Sequence, residues 1–162
     1  MQAAISFRAA PKAIHIALSR FAAVKNQAIP TYKSISRWLT QIGLYKLKCP
    51  KEQADDWALI VDNSVQIGVH KLLVILGIRL CKLKGKALAF EDMEMLGMEV
   101  GDKSDAQSIC KALENAQNKV GKVTMVCADN GPDLRGGLDL FCKKYNVGRV
   151  FDIVHKIGTI LK

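Results

Sequence analysis

Acidic residues are absent from the first 51 positions of this 162-residue chain. All 15 aspartates and glutamates come after Lys51, whereas nine of the 24 lysines and arginines come at or before it. Those nine account for the whole net charge of +9, so a basic front segment precedes an electrically balanced body. A cationic segment without anions attracts polyanions, and this pattern favours nucleic acid over a membrane surface as the partner.

Long apolar runs and paired cysteines are also missing. The longest apolar run, Leu72–Ile78, is far shorter than the roughly 20 residues that a membrane-spanning helix needs. The five cysteines are odd in number and show no C-x-x-C spacing, which excludes the usual zinc-site and disulfide patterns. We therefore expect no membrane partner and a reducing compartment such as the cytoplasm.

Two amphipathic helices are predicted in the basic segment, residues 1–48. The first spans Ala13–Lys25 and is followed by Pro30, which disfavours a helical predecessor and supplies no donor. Thr31 can cap the second helix, and Gly43 is predicted to end it. An acid-free amphipathic N-terminus is also typical of a mitochondrial transit peptide, but the second patterned helix favours a DNA-binding segment.

One face of the second predicted helix is basic and rich in hydrogen-bonding groups. Two short helices around a tight break, with such a face on the second, are typical of a helix-turn-helix that contacts DNA. A solvated basic face with no ligand is the alternative. The candidate DNA-binding residues are Lys33, Ser36, Arg37, Thr40 and Gln41.

The body, residues 57–162, alternates strand and helix patterns after a predicted linker at 49–56. Its expected order is β-β-β-α-β-α-β-α, an α/β fold with a mixed sheet flanked by helices. One helix is expected to start at a capping box at Ser104, and a short one at Leu138–Tyr145 is expected to follow a glycine-rich loop. The predicted strands are Trp57–Val61, Lys71–Arg79, Met93–Val100, Val123–Ala128 and Arg149–Val154.

Aspartates follow the first and fourth predicted strands directly. Asp62 comes after Val61, and Asp129 comes after Ala128 and is followed by an Asn-Gly turn. Aspartate is common at turns, so either one alone is weak support for a site. If the two strands are neighbours, however, the carboxylates meet at one sheet edge and can bind a hard divalent cation.

These features resemble a known family. Trp57–Asp62, Ala128–Gly131 and the element order are similar to the catalytic core of DDE transposases and retroviral-type integrases, which have a ribonuclease-H-like fold. Ser64–Gly68, Leu73–Gly77 and Asp152–Lys156 resemble, more narrowly, a group of bacterial insertion-sequence transposases that carry a helix-turn-helix ahead of the core.

The resemblance implies DNA transposition by metal-dependent phosphodiester hydrolysis and strand transfer. Asp62 and Asp129 would be catalytic ligands of Mg²⁺ or Mn²⁺. DNA would be the partner, a homo-oligomer on DNA is expected, and the location would be the bacterial cytoplasm, at the nucleoid when bound. His155 and Lys156 are candidates for a phosphate contact.

The family's third metal-binding carboxylate is not found. It is expected roughly 35 residues beyond the second aspartate, on the helix after the fifth strand, as the third ligand of the metal site. Residues 155–162 contain no acid, and Asp152 belongs to the fifth predicted strand, where a structural or supporting role is expected. The sequence therefore predicts a C-terminally truncated transposase; the alternatives are an inactive DNA-binding fragment that competes for transposon ends, and a structural domain without activity.

Overall fold

The computed structural model describes residues 6, 8–20, 28–67, 70–83, 85, 87–101, 105–129 and 131–151. The chain divides into two compact units, residues 1–48 and residues 49–162. Among the described helices, none is both long and apolar enough to cross a bilayer.

The described part of the first unit contains two helices, α1 at Ala10–Leu18 and α2 at Tyr32–Lys48. Helix α1 begins earlier than predicted because Pro11 suits a first helical turn. It ends at Leu18, where the Ser19 hydroxyl donates to the Ile16 carbonyl oxygen, and not at Lys25. Residues 21–27, where the predicted end of this helix falls, lie outside the described part.

Helix α2 starts as predicted and ends later. The Thr31 hydroxyl oxygen accepts a hydrogen bond from the Ser34 backbone N–H at 3.2 Å, as an N-cap does. The prediction that Gly43 ends the helix is wrong. An interior glycine costs only about 1 kcal/mol relative to alanine, and the good helix formers that follow carry the helix to Lys48, before Pro50.

In its described residues, the second unit contains five strands and two longer helices, with two short 3₁₀ turns at Leu80–Leu83 and Phe90–Asp92. Their order is that of the first seven predicted elements; the last predicted helix, from His155, lies outside the described residues. In chain order the elements are β1 Ala54–Ile67, β2 His70–Arg79, β3 Met93–Gly101, α3 Ala106–Val120, β4 Gly121–Ala128, α4 Pro132–Tyr145 and β5 Gly148–Phe151.

The five strands form one mixed sheet in the order β3-β2-β1-β4-β5. Strands β1, β2 and β3 form an antiparallel meander, and β4 and β5 run parallel to β1. This is the ribonuclease-H-like arrangement that the element order predicts. Helices α3 and α4 share one core with the sheet, which includes Trp57, Leu59, Ile109, Leu138 and Phe141.

Strand β1 is longer at both ends than predicted. It starts at Ala54, within the predicted linker, and continues past Asp62 to Ile67 because its pairing with β2 resumes after a register shift. The chain just before it is also held by the body: the Lys51 ammonium is 3.0 Å from a Glu94 carboxylate oxygen, and the Gln53 amide donates to the Lys119 carbonyl oxygen. Residues 51–56 are therefore part of the second unit.

Helix α3 begins one residue later than the predicted capping box. Its N-cap is Asp105, whose carboxylate accepts a hydrogen bond from the Ser108 backbone N–H at 2.7 Å. Ser104 lies outside the described residues. The helix ends before Gly121, as predicted, and its predicted apolar face is buried at Ile109, Leu113, Ala116 and Val120.

Residues 132–137 of the glycine-rich segment 131–137 are helical, so the prediction of a loop there is wrong. Pro132 occupies the first turn of α4, where its missing N–H is no loss. Gly137 lies where α4 crosses α3: a Cβ on it would lie 2.5 Å from the Ile109 Cβ and 2.9 Å from the Ala106 carbonyl oxygen. The glycines therefore allow close helix packing and do not mark a turn.

Gly137→Ala should lower the free energy of unfolding by about 1–3 kcal/mol, because overpacking forces the two helices apart. Gly136→Ala is the matched control in the same helix, since its Cβ would meet only the Ala106 Cβ, at 3.1 Å. Urea denaturation of both variants measures the difference. Equal stability of the two variants would contradict close packing at Gly137.

Candidate active site

The parallel pairing of β1 with β4 brings the two predicted catalytic aspartates to neighbouring positions. The last register pair of these strands is Val61 with Ala128. Asp62 is the next residue of β1 and Asp129 directly follows β4, so both lie where the pairing of these two strands ends. The backbones of paired strands are about 4.8 Å apart, so two carboxylates at these positions are close enough to bind the same cation.

Asp62 is exposed, and it lies inside β1 and not at its end. It pairs with Val74 of β2, and the β1–β2 register then shifts between Asp62 and Val65. Side chains alternate along a strand, so Asp62 points away from the core that buries Val61. A bulge directly after such a residue is typical of functional sheet positions, because it changes the direction of the neighbouring chain.

Asp129 is half-buried and lies between β4 and α4. The Gly131 backbone N–H donates a hydrogen bond to its Oδ1 at 3.2 Å, which fixes the carboxylate against the turn. A Cβ at Gly131 would lie 3.2 Å from the same oxygen, so glycine leaves this approach open.

The third parallel strand continues the same row. Phe151 of β5 is the register partner of Ala128, so Val61, Ala128 and Phe151 are level across three strands. The residue after Phe151 in the chain is Asp152, which lies outside the described residues, as do His155 and Lys156.

The described residues fit a divalent cation in part. Two carboxylates on neighbouring parallel strands supply the oxygen donors that Mg²⁺ and Mn²⁺ prefer. Over the part of the chain that the structure describes, no group of three or more His, Cys, Asp or Glu residues is arranged to hold a metal. Asp62 and Asp129 could therefore be two ligands of such an ion, with its other ligands supplied from elsewhere.

The predicted DNA-binding residues share one side of α2. Their spacing of three or four positions brings them together on the helix surface, and all are exposed except Ser36, which is half-buried. The Thr40 hydroxyl donates its hydrogen to the Ser36 carbonyl oxygen at 3.1 Å. The Thr40 oxygen can therefore accept a hydrogen bond from a ligand. The predicted apolar face of this helix is not buried: Trp38 and Ile42 are 51% and 52% exposed.

A second polar cluster, which sequence reasoning missed, lies at the opposite end of β1. Hydrogen bonds from the thiol and the backbone N–H of Cys81, together with the Arg79 guanidinium, lower the pKa of Asp56 to about 2. Arg79 also pairs with Glu52, and it lies 5.6 Å from the centroid of the Trp57 ring. No motif signals this cluster, because its members come from two segments that are separate in the sequence, residues 52–57 and residues 79–81.

This cluster is better explained by stability than by catalysis. Strongly shifted pKa values often mark active sites, but structural ion-pair networks shift them too. Here the Asp56 carboxylate is held by Arg79 at 2.5 Å and by the Cys81 backbone N–H at 2.9 Å. A cavity of about 180 Å³ beside it is lined mainly by charged side chains, among them the paired Lys51 and Glu94. The network joins the start of β1 to the end of β2.

No protein-family model matches the chain, and no curated protein does. Solved structures give distant likenesses. The magnesium-bound HTLV-2 integrase catalytic core domain (trimeric form) is 14% identical with a TM-score of 0.39, over 67% of this chain and 66% of that one. For the BIV integrase catalytic core domain, the identity is 15% and the TM-score 0.39, over 59% of this chain and 54% of that one.

A third likeness is to the simian T-cell lymphotropic virus intasome in complex with PP2A regulatory subunit B56 gamma. It is 13% identical with a TM-score of 0.41, over 93% of this chain and 55% of that one. The chain thus spans less than two thirds of the length of each of these three. Similarities this distant do not indicate an activity. The ribonuclease-H-like fold is assigned from the strand order of the sheet.

Asp56→Asn should lower the melting temperature at pH 7, because it removes the negative charge that Arg79 holds. The lowered pKa of Asp56 means that its contribution is present above the ordinary value of 3.8 and is lost as the pH falls towards about 2. The difference between the two proteins should therefore shrink below about pH 4. Asp55→Asn, at the adjacent exposed position, is the control; a pH-independent difference for Asp56→Asn would contradict this account.

Proposed function

We propose that the chain is a DNA transposase of the bacterial insertion-sequence type, or a fragment of one, which hydrolyses and joins phosphodiesters at transposon ends. The observation that supports this most is the β1–β4 register, which makes Asp62 and Asp129 neighbours at one end of three parallel strands. The resemblance of the Trp57–Asp62 and Ala128–Gly131 stretches to the transposase and integrase motifs supports the same assignment.

The roles of the residues follow from their positions. Asp62 and Asp129 would bind Mg²⁺ or Mn²⁺, which, when bound, stabilises the charge on the attacking and leaving oxygens of a phosphoryl transfer. The Gly131 N–H holds the Asp129 carboxylate in one orientation. The carboxylate would therefore need less reorientation when a metal ion binds. Asp62 is exposed, so a DNA phosphate can reach it.

The two units would have different roles. Residues 1–48 are proposed to bind DNA through the basic side of α2, and the second unit, residues 49–162, to form the catalytic core. The absence of acids before residue 52 supports the first assignment, since nothing there repels phosphate. Oligomerisation on DNA and a location at the bacterial nucleoid are part of the same proposal.

An inactive DNA-binding protein that competes for transposon ends is the second candidate. The observation that favours it is that the described residues supply two carboxylates and no third at the candidate site. Phosphoryl transfer depends on positioning and charge stabilisation, both of which a two-carboxylate site provides less well.

DNA cleavage separates these two candidates. A duplex that carries the inverted repeats flanking the gene should be nicked in the presence of Mg²⁺ or Mn²⁺ and not with a chelator. Asp62→Asn and Asp129→Asn should each lower the rate at least about 100-fold, because each removes a metal ligand. Asp55→Asn should leave it unchanged. Binding without nicking would favour the inactive competitor, and nicking that survives both substitutions would contradict the assigned site.

DNA binding by α2 can be measured through its salt dependence. The double variant Lys33→Gln and Arg37→Gln should bind DNA more weakly, and the slope of log K against log salt should fall by about 2, one unit for each lost phosphate contact. Lys111→Gln with Lys122→Gln, two exposed positions in the second unit, is the charge-matched control. Equal slopes for the two double variants would contradict a DNA-binding face on α2.

A further inference from the structure

One side of helix α2 is apolar and lies in solvent. Its large side chains, Trp38, Leu39, Ile42 and Tyr45, are 51%, 46%, 52% and 72% exposed. Trp38, Ile42 and Tyr45 recur at intervals of four and three residues, with Leu39 beside them, so the four form one apolar stripe along the helix. A contiguous row of large apolar side chains in water is typical of a surface that binds another protein.

The apolar stripe has the area that a weak dimer needs. With about 150–250 Å² for each aromatic side chain and somewhat less for Leu39 and Ile42, the exposed fractions amount to roughly 500 Å². Two such stripes would together bury roughly 1,000 Å², which is near the lower limit for a specific interface and well below the area of an obligate one. A second copy of this chain would therefore bind reversibly.

The charges on α2 favour a second copy over an acidic partner. At 3.6 residues per turn, Lys46 is the one charged residue on the side of α2 that carries the apolar stripe. Lys33, Arg37 and Lys48 lie towards the opposite side, with the predicted DNA-binding residues. An acidic partner would find a single cation beside the stripe, whereas a second copy would find an apolar surface that matches its own.

A two-fold antiparallel pair of helices suits the apolar stripe best. If the two helices cross at Ile42, Tyr45 of one copy lies level with Leu39 of the other, and the same contact is made twice. The two Lys46 residues are then about 12 Å apart along the helix axis, which is more than the Debye length of about 8 Å at physiological salt. A parallel pair would bring the two Lys46 side chains together, where they repel each other.

We propose that the apolar stripe is a self-association surface through which two copies of this chain pair by their α2 helices. The contact needs no DNA, so this inference stands independently of the proposed function. Because the stripe lies opposite the predicted DNA-binding side, pairing leaves both basic sides free and turns them away from each other. Under the proposed function, one dimer would therefore contact two DNA duplexes.

Sedimentation velocity on the full chain without DNA should show a monomer–dimer equilibrium in the micromolar range. Added salt should strengthen the dimer, because it screens the repulsion between two segments that contain bases and no acids. The emission of the exposed Trp38 should shift to shorter wavelength as the protein concentration rises. The double variant Trp38→Gln and Tyr45→Gln keeps good helix formers in α2 and should raise the dimer Kd at least about ten-fold.

Leu44→Gln is the matched control, since Leu44 is 50% exposed on the basic side of the same helix and should leave the equilibrium unchanged. Ile42→Cys should form an intermolecular disulfide on oxidation, and Leu44→Cys should form none beyond the background of the five native cysteines. A chain that stays monomeric at every salt concentration, or a dimer that the double variant leaves intact, would overturn the self-association surface and leave the proposed function standing. A dimeric chain that neither binds nor nicks DNA would overturn the proposed function alone.

Discussion

The parallel pairing of β1 with β4 is the contact on which the rest of the second unit depends. It joins the antiparallel meander to the parallel strands, and it aligns Val61 with Ala128. The two strands lie close together where their pairing starts, at Ala54 and Gly121. Gly121 has a φ of 96°, and a Cβ on it would lie 2.6 Å from the Ala54 carbonyl oxygen. Glycine is therefore required where α3 passes directly into β4, because any side chain there would push the two strands apart.

Much of the second unit could be predicted from sequence because its signals are local. The strand before Asp129, the helix that contains Ile109 and Leu113, and the order of the first seven predicted elements all appear in the structure. The neighbouring positions of Asp62 and Asp129 follow once the strand order is known, since both aspartates directly follow apolar strand residues. What these two residues do chemically remains a proposal.

The errors arose where distant partners decide the local structure. Gly137 looks like a loop residue in sequence, but Ile109 of another helix explains its lack of a side chain. The extension of β1 beyond Asp62 depends on pairing with β2, and the Asp56 network joins segments that no motif connects. In α2, the apolar spacing predicted the helix correctly, but the apolar face of that helix is exposed and not buried. Periodicity identifies an apolar face, but it does not show whether another element packs against that face.

The β1–β4 register also has a consequence for folding. Strands β1 and β2 are adjacent in the chain and can pair early, whereas β4 must close a long loop through β3 and α3 before it reaches β1. A chain with only the meander formed would display Asp62 without Asp129 beside it. The candidate site therefore exists only after the strand pairing of longest sequence separation has formed, and partly folded molecules, such as nascent chains, would lack it.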